Sequence, residues 1–201
     1  MMAKAHISVG MAAAFTAMSP GSIPEALPVI TGASLGCLIC DLDCENKTER
    51  SDSSRWRIVM ALVAAAALAE DSLLDAGMWR SLAQSGSYLW FAGIVGMMII
   101  CTFASVSRHR GFAHSLPAFA LETLCIWLVF PSAAVPFALA FASHLVLDVV
   151  NKRPVRLFYP AKKGICLGWF YADRLANRIC AILGCVWLAA AVLIGLRLRL
   201  V

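Results

Sequence analysis

Charge is scarce in this chain. Of 201 residues, only 14% are Asp, Glu, Lys or Arg, while 61% are hydrophobic. A soluble domain carries about 25% charged and about 45–50% apolar residues. A globule of this length still needs a wetted surface, so a larger core does not absorb the excess; a bilayer does. No internal repeat or low-complexity tract is present. Histidine is rarer still, with four in the chain, so the place of each one carries information.

The net charge of +5 invites a nucleic-acid reading, but the basic residues do not line one polar face. They fall between apolar runs: Lys47, Arg50, Arg55 and Arg57, then Arg108 and Arg110, then Lys152, Arg153, Arg156, Lys162 and Lys163. The positive-inside rule produces this bunching, so membrane lipid is the expected partner and direct nucleic-acid binding is not. The eight cysteines do not form the framework of a small secreted domain. Cys101, Cys125, Cys180 and Cys185 lie inside apolar runs as small hydrophobes, and reduced thiols are expected. At the N-terminus, His6 interrupts the charged-then-apolar order of a signal peptide. Pro20, Pro24 and Pro28 follow without a cleavage site, so the segment is expected to stay in the mature protein.

The pattern predicts an all-α, polytopic membrane protein: one domain over residues 1–201 with four to six membrane-embedded helices. A first helix runs from about Lys4 to Met18 and stops at Ser19-Pro20-Gly21; a second apolar stretch covers Ala26 to Cys40. A polar loop, Asp41 to Arg57, is followed by a short apolar run, Arg57 to Ala69, which spans only if extended to Leu74 with Glu70 and Asp71 near an interface. Tyr88 to Val106 is the clearest span, uncharged and aromatic at one end. Leu116–Phe130 and Ala133–Val150 are two runs broken at Pro131, with Glu122 inside the first. A basic loop, Asn151 to Gly168, precedes a last span, Ile179 to Leu196. The basic loops 41–57, 107–115 and 151–164 belong on the cytoplasmic side, and the acidic 70–87 connection on the other.

The chemistry gathers at the ends of these runs. His144 and Asp148 are four apart on a helix, hence on one face and about 5–6 Å apart at the β-carbons. Ionisable residues inside a membrane are costly and mark functional sites. His109 and His114 flank Arg110-Gly111-Phe112-Ala113, and Asp41, Asp43 and Glu45 cluster after an apolar run. In extended backbone Asp41 and Asp43 point to one side and reach one ion. Imidazole with carboxylate suits zinc, manganese or iron, and water on zinc becomes acidic near pH 7. The set is large enough for one or two ions.

Each residue also has a plain reading. His6 serves as a packed helix residue, His109 as an interfacial one, Asp148 as an i,i+4 partner of Lys152, and Asp41 and Asp43 as solvated loop. Histidines occurring only where carboxylates or interface loops gather favours a shared site. Cys37-x-x-Cys40 with Cys44 lacks the second ligand pair of a zinc knuckle. Ser115 lacks the strand-to-helix elbow of a serine nucleophile, and a cap or hydrogen bond is its expected role.

The chain resembles the YdjM-like family of LexA-binding, inner-membrane-associated hydrolases. The resemblance is carried by Ala5-His6, by Leu38-x-x-Asp41-x-Asp43, by His109-Arg110-Gly111-Phe112-Ala113-His114-Ser115, by Ser143-His144-Leu145-Val146-Leu147-Asp148, and by Val155-Arg156-Leu157-Phe158-Tyr159-Pro160. It implies a helical membrane protein with a metal-dependent hydrolase site, and ligand roles for His6, Asp41, Asp43, His109, His114, His144 and Asp148. It further implies distant similarity to zinc-dependent phospholipase C, and hence phosphoester substrates, a phospholipid foremost. Where the family has His-Pro after Asp-x-Asp, this chain has Cys44 and Glu45. Either Cys44 ligates a soft metal there as thiolate, or the position is vacant and Glu45 substitutes, with Glu45 and Asp43 as the catalytic carboxylates. Two other functions compete. One is a membrane scaffold or regulator that binds a LexA-like partner and holds only a structural metal. The other is a metal or proton transporter, against which the missing inverted repeats and the ligands grouped at one interface both count.

Overall fold

A computed structural model describes residues 3–43, 87–169 and 174–197, with isolated positions 65, 72, 80 and 171. The predicted polar loop beyond Asp43, the apolar run to Leu74 and almost all of the acidic connection lie outside the described residues. The helices among the described residues are α1 (Ala3–Met18), α2 (Ile23–Leu38), α3 (Ser87–Val106), α4 (Leu116–Val129), α5 (Pro131–Val150) and α6 (Arg174–Arg197). Short 3-10 turns cover Ile39–Asp43 and Phe112–His114. No strand occurs among the described residues; one isolated bridge, Val155 with Ile165, ties the basic loop to itself.

The breakers sit where helix chemistry wants them. Proline occupies the first positions of α2, α4 and α5, where its missing N–H is one that no helix satisfies anyway. Ser115 caps α4: its Oγ accepts from the Ala118 N–H at 3.3 Å and donates to the Phe112 carbonyl at 2.6 Å, the role expected of it. Pro131 divides the two apolar runs into α4 and α5 as expected. The last helix begins at Arg174 rather than Ile179. Its first turn carries Arg174, Asn177 and Arg178, and a polar turn of helix leaves no trace in an apolar pattern.

Packing sorts the helices into an inner and an outer set. α5 lies against α1, α2 and α4, while α3 leans on α4 and α6 on α1. The stretches Ile23–Asp41, Tyr88–Val106, Pro131–Val150 and Leu175–Leu196 are each long and apolar enough to cross a membrane; Leu116–Val129 is apolar but shorter. Only 11% of the span in α3 and in α6 is buried, against 67% in α2. Met98, Ile99, Leu183 and Val186 are more than half exposed, an apolar surface far too extended for water.

Where α2 crosses α5 the backbones touch. A Cβ on Gly32 would land on the Ala133 carbonyl oxygen, and one on Gly36 on that of Phe137. Lipid tails are as apolar as leucine, so helices in a bilayer associate by close packing, and small residues four apart permit it. The core around this crossing consists of Phe137, Phe141, Ile39, Ala133 and Leu145.

Candidate metal centre

Four pieces of chain bring their donors to one end of the bundle. α1 supplies His6 from its first turns. The 3-10 turn after α2 supplies Asp41, and the 3-10 turn before α4 supplies His114. α5 supplies His144 and Asp148, one helical turn apart. His6 is 1% exposed, His114 and His144 0% and Asp148 2%. Asp41 is the exception: its side chain keeps 20% exposure, so the cluster opens on that side.

The separations are those of ligands around one ion. His114 Nε2 lies 3.4 Å from Asp148 Oδ2 and 3.8 Å from Asp41 Oδ1. His144 Nε2 lies 3.7 Å and 3.8 Å from the same two oxygens. His6 Nε2 lies 3.7 Å from Asp148 Oδ1, and its ring stacks on that of His144 at 3.7 Å. Two sets have all their donor atoms within 4.8 Å of one another: His6, His144 and Asp148, and Asp41, His114 and His144. Zinc bonds of 2.0–2.2 Å place tetrahedral donors roughly 3.3–3.5 Å apart, so a small contraction closes either set on a metal.

The hydrogen bonds sharpen this. His144 Nδ1 is 2.7 Å from the Cys37 carbonyl oxygen. A carbonyl only accepts, so Nδ1 carries the proton and Nε2 presents its lone pair to the cluster. That carbonyl is available because Cys37 lies in the last turn of α2, whose final C=O groups have no partner within the helix. His144 Nε2 and both ring nitrogens of His6 are buried without a hydrogen-bond partner. A buried polar atom left so costs about 1–3 kcal/mol, which a metal accepting the lone pair offsets. The donor set therefore fits a divalent ion on an observation of the fold itself.

Residues 1–200 match the profile of the YdjM inner membrane protein family. The chain belongs to that family. No curated protein and no solved structure matches it. The family's name together with the four spanning-length apolar helices makes this YdjM-family chain a multi-pass inner-membrane protein.

Of the predicted ligands, His6, Asp41, His114, His144 and Asp148 come together. His109 packs edge-on against His114, with ring centroids 5.4 Å apart, and stands outside both donor sets. Asp41 sits in a 3-10 turn rather than extended backbone, and residues two apart there diverge around the axis. The Asp43 side chain and Glu45 lie outside the described residues. Cys37 gives its Sγ–H to the His6 carbonyl at 3.2 Å.

Two neighbours went unassigned in the sequence. Arg110 donates from Nη2 to Asp148 Oδ1 at 2.9 Å and from Nη1 to the Arg153 carbonyl at 2.6 Å. Asp148 therefore pairs with Arg110 and the histidines, while Lys152 places its Nζ 4.0 Å from the centre of the Tyr171 ring. Arg110 has φ of 59°, a left-handed backbone that costs a non-glycine residue about 1–2 kcal/mol. The turn it makes, closed by the Gly111 N–H on the Arg108 carbonyl, carries the chain from the end of α3 to His114. Glu122, the charge inside α4, is 1% exposed; neither oxygen has a hydrogen-bond partner, and His114 lies within its electrostatic reach.

Proposed function

We propose that this protein is a membrane-embedded, metal-dependent phosphoester hydrolase with its site at the cytoplasmic edge of the bilayer. The observation that supports the reading most is the convergence of the buried His6, His114 and His144 imidazoles on the carboxylates of Asp41 and Asp148. His6, His114, His144, Asp41 and Asp148 hold the ion. The nitrogen and oxygen donors suit zinc, with manganese and iron as alternatives. When bound, such an ion supplies a Lewis acid and brings the pKa of water towards about 7.

The chain's own residues do the rest. Asp148 uses Oδ2 towards His114 and His144, while Arg110 holds Oδ1 and fixes the carboxylate's orientation. The Cys37 carbonyl fixes the His144 ring. Asp41 lines the open side, by which water and substrate enter. Asp43 and Glu45, next along the chain, are assigned to accept the proton that water loses. His144 has one nitrogen to give, so the two donor sets that share it describe one ion, and a stoichiometry of one per chain is expected.

Elemental mass spectrometry on detergent-purified protein tests this. One equivalent of zinc, manganese or iron is expected in the wild type, lost in His114→Ala and His144→Ala together with hydrolysis of bis(p-nitrophenyl) phosphate. Full turnover by His114→Ala, or no metal in the wild type after reconstitution, overturns the reading and leaves a partner-binding membrane scaffold as the better account.

A further inference from the structure

On the far side of α5 from its histidine lies an apolar groove of about 410 Å³, within the size range of small-molecule sites. Leu116 and Phe119 of α4 form one wall, Ala142, Leu145 and Val149 of α5 another, and Leu157 of the basic loop closes the end. The loop is fastened there by main-chain bonds: Leu116 N–H to the Leu157 carbonyl at 2.9 Å, and Leu167 N–H to the Val149 carbonyl at 2.7 Å.

Three observations say what fills it. First, the loop that closes the groove with Leu157 is tied to a neighbour of the metal centre: the Arg156 N–H reaches the carbonyl of Arg110 at 3.2 Å, and Arg110 holds Asp148 at 2.9 Å. Second, the loop at its mouth is cationic, with Lys152, Arg153, Lys162 and Lys163 exposed and Arg156 half-buried. Third, the same loop exposes Phe158 (59%) and Trp169 (74%), and the exposed Tyr171 lies just beyond it. Aromatic and basic residues in this mixture belong to the headgroup level of a membrane. An apolar slot walled in part by Leu157 and Leu167 of a cation-rich loop matches an amphiphile with a hydrocarbon tail and an anionic head.

We propose that this groove is the acyl-chain subsite for an anionic glycerophospholipid, whose headgroup the basic loop holds beside the metal centre. The proposal rests on the hydrolase reading only for what happens to the lipid; occupancy of the groove stands or falls separately. The head meets Arg156 and the lysines, and the tail replaces lipid-exposed contacts of Leu116, Phe119 and Val149 with a walled site.

The test is photolabelling of the full-length protein in phosphatidylcholine nanodiscs with phosphatidylglycerol carrying a diazirine near the end of one acyl chain. Labelled peptides are mapped by mass spectrometry. Label is expected on residues 116–119 and 142–150 in excess of that on the lipid-facing surface of α6. Val146→Trp and Ala142→Phe, which fill the groove from an exposed and a half-buried position, each lower it on the order of 10-fold, as when roughly two methylenes lose their burial. Label on α6 in the same sample reports that both variants remain folded in the disc. Arg156→Gln lowers the preference for phosphatidylglycerol over an identically tailed phosphatidylcholine about 5-fold, the worth of one interfacial charge. Label spread over α3, α4, α5 and α6 in proportion to exposure, or unchanged by both filling variants, overturns the proposal. Groove labelling in a wild-type protein that holds no metal after reconstitution and hydrolyses no phosphodiester keeps the subsite and rejects the enzyme; metal and turnover without groove labelling do the reverse.

Discussion

Glu122 shows how a residue belongs to a site without being one of its ligands. Its carboxylate is buried in an apolar helix with no hydrogen-bond partner, yet it stands outside both sets of converging donors. As a buried neighbour of His114, the Glu122 carboxyl belongs with the outer partners that tune metal affinity by about 10–100-fold. Glu122→Gln is therefore expected to keep its equivalent of metal but to surrender it at a chelator concentration on the order of 10-fold lower than wild type does. Complete loss of metal in the purified variant makes Glu122 a ligand; a chelator curve superposable on wild type makes it structural. The five converging donors were legible in the sequence because ligand chemistry admits few residue types, and those types are conspicuous in apolar runs. Glu122 and Arg110 were not. Glu122 sits a full helix turn and more beyond its motif, and Arg110, in a left-handed turn, reaches Asp148 38 positions further along the chain.

At the scale of elements, the site depends on a crossing that contributes none of its atoms. α2 delivers Asp41 and the Cys37 carbonyl, α5 delivers His144 and Asp148, and Gly32 and Gly36 set how closely the two helices lie. Gly36→Leu forces a branched side chain into the Phe137 carbonyl, and overpacking of this kind costs about 1–3 kcal/mol. The expected result is a lower melting temperature in detergent, with metal lost although every ligand remains. Gly93→Leu on α3 makes the control. It crowds α4 at Val129 and Leu128, at the end remote from His114, so it lowers the melting temperature while metal is retained. Equal metal loss in both would show that any packing defect empties the site, and would remove the special place of the α2–α5 crossing. Most helix limits were legible from proline and from the lengths of the apolar runs. The 3-10 form of the Asp41 turn was not, because a five-residue segment has too few positions for a periodicity to appear.

At the scale of the whole molecule, the order of the donors along the chain carries a topological consequence. His6 is at the start of α1, Asp41 just past the end of α2, His114 between the end of α3 and the start of α4, and Asp148 in the last turn of α5. Helix starts and ends alternate so that every donor falls at one end of the bundle. α6 agrees, since it begins after the basic loop and its Gly195 lies by Ser19 and Pro20 at the far end of α1. The donor end also carries Arg108, Arg110, Lys152, Arg153, Arg156, Lys162 and Lys163, which the positive-inside rule places in the cytoplasm. A reporter is already present: Cys166 is a free, exposed thiol in the basic loop. A membrane-impermeant maleimide is expected to modify Cys166 in inside-out vesicles and to spare it in intact spheroplasts, as read on the peptide by mass spectrometry. Modification in spheroplasts instead would place the donor cluster and the mouth of the groove on the periplasmic face. The hydrolase would then act on the outer leaflet, where the cationic loop would meet lipid from the opposite side.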